Sequence, residues 1–279
     1  MRYAAIDPDV LGCIVTGYGK GGTTLIKDLL VQTTDMVSRF EGGLLLSRSP
    51  ADGIPQPHAR NLLDSWQLGP DFLDRYSRCG TFEEGYRLLR ESSAALPSRE
   101  APLLDKMPEY MVQLDDVMRR APHTPVVCVV RDPLHVVVSW LQLGNSLFES
   151  IAWVRASSES LLATLGRRDR RLPLYIVNLT DMVRQPEPTL RNLQVWLGRW
   201  PRPIVAGARC GMPYAAGGRN DRPRGIETDR HDVSKRRTPE ELAVIRREVL
   251  EAMPYAESLA AIPSGPATSL ESGAVAAAA

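Results

Sequence analysis

A loop crowded with glycine, Thr16-Gly17-Tyr18-Gly19-Lys20-Gly21-Gly22-Thr23-Thr24, joins a short apolar run at 12–15 to an amphipathic run at 25–31. That succession predicts a buried strand turning directly into a helix. Glycines let the backbone adopt positive φ and approach an anion closely, and the first N–H groups of the helix add the positive end of its dipole. Gly17 and Gly22 have the separation of the nucleotide-triphosphate motif G-x-x-x-x-G-K-[ST], with Thr24 at its hydroxyl position. The lysine of that motif is replaced by Thr23, and the loop's cation, Lys20, lies three residues earlier. The departure argues for an anionic ligand other than ATP or GTP. By itself the loop also fits a tight strand-to-helix turn that holds no ligand.

A second segment narrows the choice. Val-Val-Cys-Val-Val at 126–130 is an unbroken apolar run, as a parallel strand buried on both faces requires, and it stops at Arg131-Asp132-Pro133. Pro133 suits the first turn of a helix, which puts Arg131 at the carboxyl end of a central strand, the edge where open α/β sheets bind ligands. Ser139 follows eight residues after Arg131, about two turns along that helix. An arginine and a hydroxyl so placed suit one phosphate; an Arg-Asp ion pair with an ordinary helical serine is the other reading of the same residues.

Strand candidates fall at 12–16, 43–46, 126–130 and 174–179, and helix candidates at 23–32, 109–119, 134–143, 147–165, 188–200 and 239–253. The last opens with Thr238-Pro239-Glu240-Glu241, a threonine N-cap followed by acidic groups in the first turn. Alternating strands and helices predict an α/β fold, a three-layer α/β/α arrangement around a central parallel sheet. Residues 48–100 interrupt the alternation with Pro50, Pro55, Pro57 and the aromatics Trp66, Phe72, Tyr76, Phe82 and Tyr86, and read as a helical cap insertion. From 263 onward Ser, Gly and Ala dominate, so the expectation is one domain over 1–262 and a disordered tail over 263–279.

With 34 basic against 33 acidic side chains among 279 residues, the formal net charge is +1. Nothing in that balance argues for nucleic acid or an anionic membrane as a partner. No run of 18 apolar residues occurs and the first residues lack the pattern of a signal peptide, so the expectation is cytoplasmic residence without an integral membrane segment. Cys13 and Cys128 fall in candidate core strands, and Cys79 and Cys210 have no metal-like spacing, which predicts neither a zinc site nor a structural disulfide.

Together these segments resemble the sulfotransferases that use 3′-phosphoadenosine 5′-phosphosulfate (PAPS), in their bacterial and carbohydrate-type branch. The family's [KR]-x-G-T-T core is matched by Lys20-Gly21-Gly22-Thr23-Thr24, and its R-[DN]-P with a serine eight residues after the arginine by Arg131-Asp132-Pro133 and Ser139. Asp181-Met182-Val183-Arg184-Gln185-Pro186-Glu187 resembles the family's E-D-L-x-x-x-P-E segment, and Lys106-Met107-Pro108 its K-[TS]-P. The motifs follow the family's order and span about residues 11–255.

The resemblance implies a P-loop-like fold in which the backbone and hydroxyls of Tyr18, Gly19, Lys20, Gly21, Gly22, Thr23 and Thr24 hold the 5′-phosphosulfate. Arg131 and Ser139 would hold the 3′-phosphate, and Lys235, Arg236 and Arg237 resemble a basic loop that closes over it. Lys20 is the candidate for meeting charge on the leaving phosphate, and Lys106 for the sulfonyl oxygens or the acceptor. For the base, Glu41 occupies a place where several members carry a catalytic glutamate, and His58 competes. The tyrosine-glutamate pair often found before the Asp181-like residue is Leu179-Thr180 here, and the tryptophan that follows T-T in cytosolic members is Leu25. The implied reaction moves a sulfuryl group from PAPS to a hydroxyl of a small molecule, glycolipid or carbohydrate, leaving PAP, with no metal required and a homodimer possible. Two rivals share these residues: a P-loop ATP-dependent phosphotransferase, and a non-catalytic nucleotide-binding protein on the same fold.

Overall fold

The computed structural model describes residues 3–167, 172–199 and 237–267. In chain order the elements are β1 (Leu11–Gly17), α1 (Thr23–Thr33), α2 (His58–Trp66), α3 (Phe72–Ser77), α4 (Phe82–Ser92), β2 (Leu103–Lys106), α5 (Leu114–Arg120), β3 (Val126–Val130), α6 (Pro133–Leu141), α7 (Leu147–Leu165), β4 (Leu174–Asn178), α8 (Leu179–Arg184), α9 (Pro186–Trp196), α10 (Pro239–Ala252), α11 (Ala256–Ala260) and β5 (Gly265–Pro266). Short 3₁₀ turns occupy Leu44–Leu46, Pro50–Asp52 and Pro108–Gln113.

The sheet runs β2-β1-β3-β4-β5, parallel throughout except for β5, which pairs antiparallel with β4. All four parallel strands are buried along their whole length, and alternate residues feed two separate cores. Cys13, Val15, Leu104, Val127, Val129, Tyr175 and Val177 pack against Ile26, Leu29 and Leu30 of α1 and Met182, Leu190 and Leu193 of α8 and α9. Ile14, Leu103, Val126, Cys128, Val130, Leu174 and Ile176 face the opposite layer, which holds Leu114 and Val117 of α5, Val136 to Val138 of α6, Val154 and Leu161 of α7, and Ile245 and Val249 of α10. A strand's two-residue period thus builds the three layers. Because β1 has β2 on one side and β3 on the other, the chain reverses its direction of winding there, and the crevice at their carboxyl ends is where such sheets take ligands.

Several expected elements are displaced. The strand expected at 43–46 is a 3₁₀ turn instead. Its backbone is claimed by side chains: the Tyr76 hydroxyl donates to the Leu44 carbonyl (2.8 Å), Arg120 Nη1 to that of Leu45 (2.6 Å) and Gln113 Nε2 to that of Leu46 (3.2 Å), while the Tyr110 hydroxyl accepts from Leu45 N–H (3.0 Å). The strand actually beside β1 is Leu-Leu-Asp-Lys at 103–106, whose buried charges disguise it. The helix expected from 109 begins as a 3₁₀ turn and becomes α-helical only at Leu114. The helix expected at 188–200 is α9, which starts two residues earlier at Pro186 and ends at Trp196, and an unexpected short helix, α8, precedes it at Leu179–Arg184. Gly265 and Pro266, assigned by composition to the tail, form β5 on the sheet edge; residues 268–279 lie outside the described residues.

Burial pushes the thiols of Cys13 and Cys128 up, the latter to about 12, so both are protonated core side chains. Cys210 lies outside the described residues. Among the described residues, no helix is long and apolar enough to cross a membrane.

Candidate active site

β1 delivers the glycine loop to the crevice. Gly17 has φ +146°, and a Cβ there would overlap the Val129 carbonyl of the neighbouring strand, so only glycine lets β1 leave the sheet at this point. Tyr18 turns inward: it is fully buried and its hydroxyl pairs with that of Ser158 on α7 at 2.8 Å. Its side chain is therefore the loop's anchor, and only its backbone belongs to the cradle. The Tyr18 carbonyl accepts from Gly21 N–H (2.7 Å), closing a turn that leaves Lys20 exposed with φ +68°. Gly22 is the N-cap of α1, with no side chain capping the first turn and no acidic residue in it. The N–H groups that open α1 thus face the loop without a competing carboxylate. Thr23 is buried and Thr24 half-buried.

Arg131 and Ser139, expected from the sequence to share a site, lie at the end of β3 and two turns into α6, both buried. Arg131 Nη1 donates to the Lys20 carbonyl at 3.2 Å, tying the two motifs together across 111 residues of sequence. Asp132 caps α6 by accepting from Leu134 N–H at 2.9 Å. Trp140, which sequence reasoning passed over, donates from Nε1 to the Gly19 carbonyl (3.0 Å) and lays its ring against Gly19. Leu179, at the position of the family's tyrosine-glutamate pair, lies against Gly22.

Lys106 and Glu41 meet at the end of β2. Lys106 Nζ lies 2.7 Å from Glu41 Oε1 and 4.2 Å from the centre of the Phe40 ring; the lysine is 1% exposed and the glutamate 16%. Glu41 sits in a strap of chain fixed from three directions. Trp66 Nε1 donates to its carbonyl at 3.1 Å. Asp105 Oδ2 accepts from the hydroxyls of Tyr86 (2.5 Å) and Tyr110 (2.7 Å), while its Oδ1 is buried without a hydrogen-bond partner on the side of Gly42. A side chain at Gly42 would collide with Asp105, which explains the glycine. Burial nevertheless pushes the Asp105 carboxyl up, with the Tyr86 and Tyr110 hydroxyls opposing it.

Two further charged groups at this edge escaped sequence reasoning. Lys27, one turn into α1, is 2% exposed and pairs with Asp28; burial pulls its ammonium down, and the charges of Lys106 and Arg39 add to that while Asp28 opposes it. Its signal was a lysine on the apolar stripe of an amphipathic helix, with Ile26 and Leu30 as neighbours. Glu109, next to Lys106-Met107-Pro108, is pushed up first by burial and then by the charge of Glu41, against its own backbone N–H, His58 and Lys106. His58 begins α2 near Gly43, two residues along the strap from Glu41.

Of the expected basic loop, Arg237 is seen, half-buried and 3.3 Å from Glu241 at the start of α10; Lys235 and Arg236 lie outside the described residues. Among the described residues no group of three or more His, Cys, Asp or Glu is gathered as a metal site.

No curated protein sequence matches the chain significantly. Solved structures do match its fold. The sulfotransferase domain of the olefin synthase from Synechococcus PCC 7002 is 20% identical, with a TM-score of 0.63 over 91% of this chain and 96% of that one. The sulfotransferase domain from the curacin biosynthetic pathway is 14% identical, with a TM-score of 0.56 over 91% and 99%. A sulfotransferase from Alicyclobacillus acidocaldarius is 14% identical, with a TM-score of 0.51 over 90% and 95%. The model of the sulfotransferase family matches residues 13–201, which takes in the glycine loop, the Glu41–Lys106 pair and the Arg131 segment alike. The chain belongs to the sulfotransferase family and is an enzyme of that class.

Proposed function

We propose that the chain is a cytoplasmic, single-domain enzyme that transfers a sulfuryl group from PAPS to a hydroxyl of a small molecule, glycolipid or carbohydrate. The observation that carries this reading is the bond from Arg131 to the Lys20 carbonyl, which joins the two anion-binding motifs at the β1/β3 crevice. The residues present suit a donor with separate 5′ and 3′ anionic groups. The glycine loop and the opening of α1 would hold the 5′-phosphosulfate, with the Thr23 and Thr24 hydroxyls beside them. Arg131 and Ser139 would hold the 3′-phosphate, and Lys235, Arg236 and Arg237 would close over it.

In the reaction the acceptor oxygen bonds to sulfur as the bond from sulfur to the 5′-phosphate oxygen breaks. Lys20 meets the negative charge that grows on that departing oxygen, a stabilisation larger in the transition state than in the ground state. The acceptor's proton passes to the Glu41 carboxylate, which Lys106 holds in place at 2.7 Å. His58, against the same strap, is the second candidate for the proton. The helices α2 to α4 would cap the acceptor side through Trp66 and Tyr86, which already bind the strap and its anchor.

Calorimetric titration with PAP, beside ATP and Mg²⁺, tests the donor. PAP should bind without metal and its affinity should fall at least tenfold in Arg131→Ala, since hydrogen bonds to charged groups contribute about 1.5–3 kcal/mol. Preference for ATP, or unchanged PAP affinity in the variant, would overturn the assignment.

A further inference from the structure

Three successive carbonyls of the glycine loop are each held by a donor. That of Tyr18 accepts from Gly21 N–H at 2.7 Å, that of Gly19 from Trp140 Nε1 at 3.0 Å and that of Lys20 from Arg131 Nη1 at 3.2 Å. Lys20 therefore lies between two peptide units clamped from outside: Trp140 grips the one before it, and Arg131 with the Gly21 N–H grips the one after. Its φ of +68° is the torsion next to the first of these units, and a residue with a side chain leaves that left-handed region unless its surroundings hold it there. The loop itself can do little of the holding. Gly19, Gly21 and Gly22 have no side chains, and Tyr18 turns its ring into the core.

Trp140 follows Ser139 directly on α6 and packs its half-buried ring on the core. The indole approaches Gly19 so closely that a Cβ there would stand 2.7 Å from Cζ2, so glycine at 19 is what lets the indole N–H reach a backbone carbonyl. The Trp140 carbonyl in turn accepts from Leu143 N–H (2.9 Å) and Asn145 Nδ2 (3.2 Å), which fixes the end of the helix from which the indole projects.

We propose that Trp140 is a positioning residue that acts through Lys20: its indole N–H holds the Gly19–Lys20 peptide in the orientation that keeps Lys20 left-handed and aims the ammonium at the oxygen departing from sulfur. This rests on the reading of Lys20 as the cation that meets that charge. A single bond to a neutral carbonyl contributes little to stability, but a catalytic group misplaced by about 1 Å can lose on the order of 100-fold in rate.

Two substitutions separate the hydrogen bond from the packing. Trp140→Phe keeps an aromatic ring and drops the donor, whereas Trp140→His keeps an N–H at the place of the indole's and drops the outer ring. Single-turnover transfer from PAPS should fall roughly 10–100-fold in Trp140→Phe and less in Trp140→His, with PAP affinity nearly unchanged in both. The reverse order of the two variants would make packing the operative property and overturn the proposal. In a Lys20→Ala background, Trp140→Phe should cost nothing further; an additive loss would show that Trp140 does not act through Lys20. The backbone can be read with neither donor nor acceptor present. With the four lysines, Lys20, Lys27, Lys106 and Lys235, labelled with ¹³C, the Lys20 Cα and Cβ signals, assigned by their loss in Lys20→Ala, should leave their left-handed values in Trp140→Phe. Unmoved signals would overturn the positioning role. Moved signals in a chain that transfers no sulfuryl group from PAPS would refute the proposed reaction and not the positioning.

Discussion

Lys20 carries its cation on a backbone at φ +68°, a conformation that costs a side-chain-bearing residue of order 1–3 kcal/mol and persists only where neighbours impose it. Here the imposing neighbours are the Tyr18–Gly21 turn and the Arg131 bond to the Lys20 carbonyl. Strain of this kind gathers at functional sites, and the exposed ammonium is what it delivers. Replacing Lys20 by Ala leaves the backbone problem and removes the charge. Turnover should fall roughly 10²–10³-fold, the usual loss for one preorganised donor, while PAP affinity falls far less. Single-turnover transfer from PAPS, compared with PAP binding, separates the two effects. An equal loss in both would mean that Lys20 holds the donor and does not assist its cleavage.

At the scale of elements, the critical junction is the exit of β1. Gly17 pairs in register with Val129 of β3, and its positive φ turns the chain away just as the strands are closest. Gly17→Ala adds both a steric overlap with backbone that cannot swing aside and an unfavourable φ. The expected destabilisation is about 2–5 kcal/mol, from overpacking and strain together, and it should be accompanied by loss of PAP binding because the loop must shift. Gly53→Ala is the control. It also has positive φ (+70°) but open space around it, so its cost should be the smaller conformational one alone. Denaturant unfolding of the two variants would check the difference. The junction itself was legible in the sequence as apolar run, glycine, amphipathic run. The strand at 103–106 was not, because its two apolar residues are followed by Asp105 and Lys106, which a period-based reading takes for surface.

Across the whole molecule, Asp105 links layers that are distant in sequence. It sits on β2, binds Tyr86 of α4 and Tyr110 of the 3₁₀ turn, and supports the strap that carries Glu41. Asp105→Ala would orphan two buried hydroxyls at about 1–3 kcal/mol each, so a loss of roughly 2–5 kcal/mol in unfolding free energy is expected. Asp105→Asn keeps one acceptor oxygen and should lose less. Because the glycine loop and Arg131 do not depend on this knot, PAP binding should survive in the folded fraction while transfer fails. Loss of PAP binding in step with transfer would show instead that the cap and the donor cradle are one cooperative unit.

The amino-acid sequence alone determined the α/β alternation, the glycine loop, and the position of Arg131 at a strand end, because each is written in local chemistry: apolar period, glycine density and a helix-starting proline. It also named Glu41, His58 and Lys106 singly. The tertiary structure decided that Glu41 and Lys106 pair, that His58 lies near Gly43 of the same strap, that Lys27 is buried, and that Tyr18 faces the core. It decided as well that 43–46 is a strap bound by side chains and not a strand. Such outcomes depend on which charges share a low-dielectric space and which donors reach which carbonyls, and those are set by strand order and long-range packing, properties that no local pattern encodes.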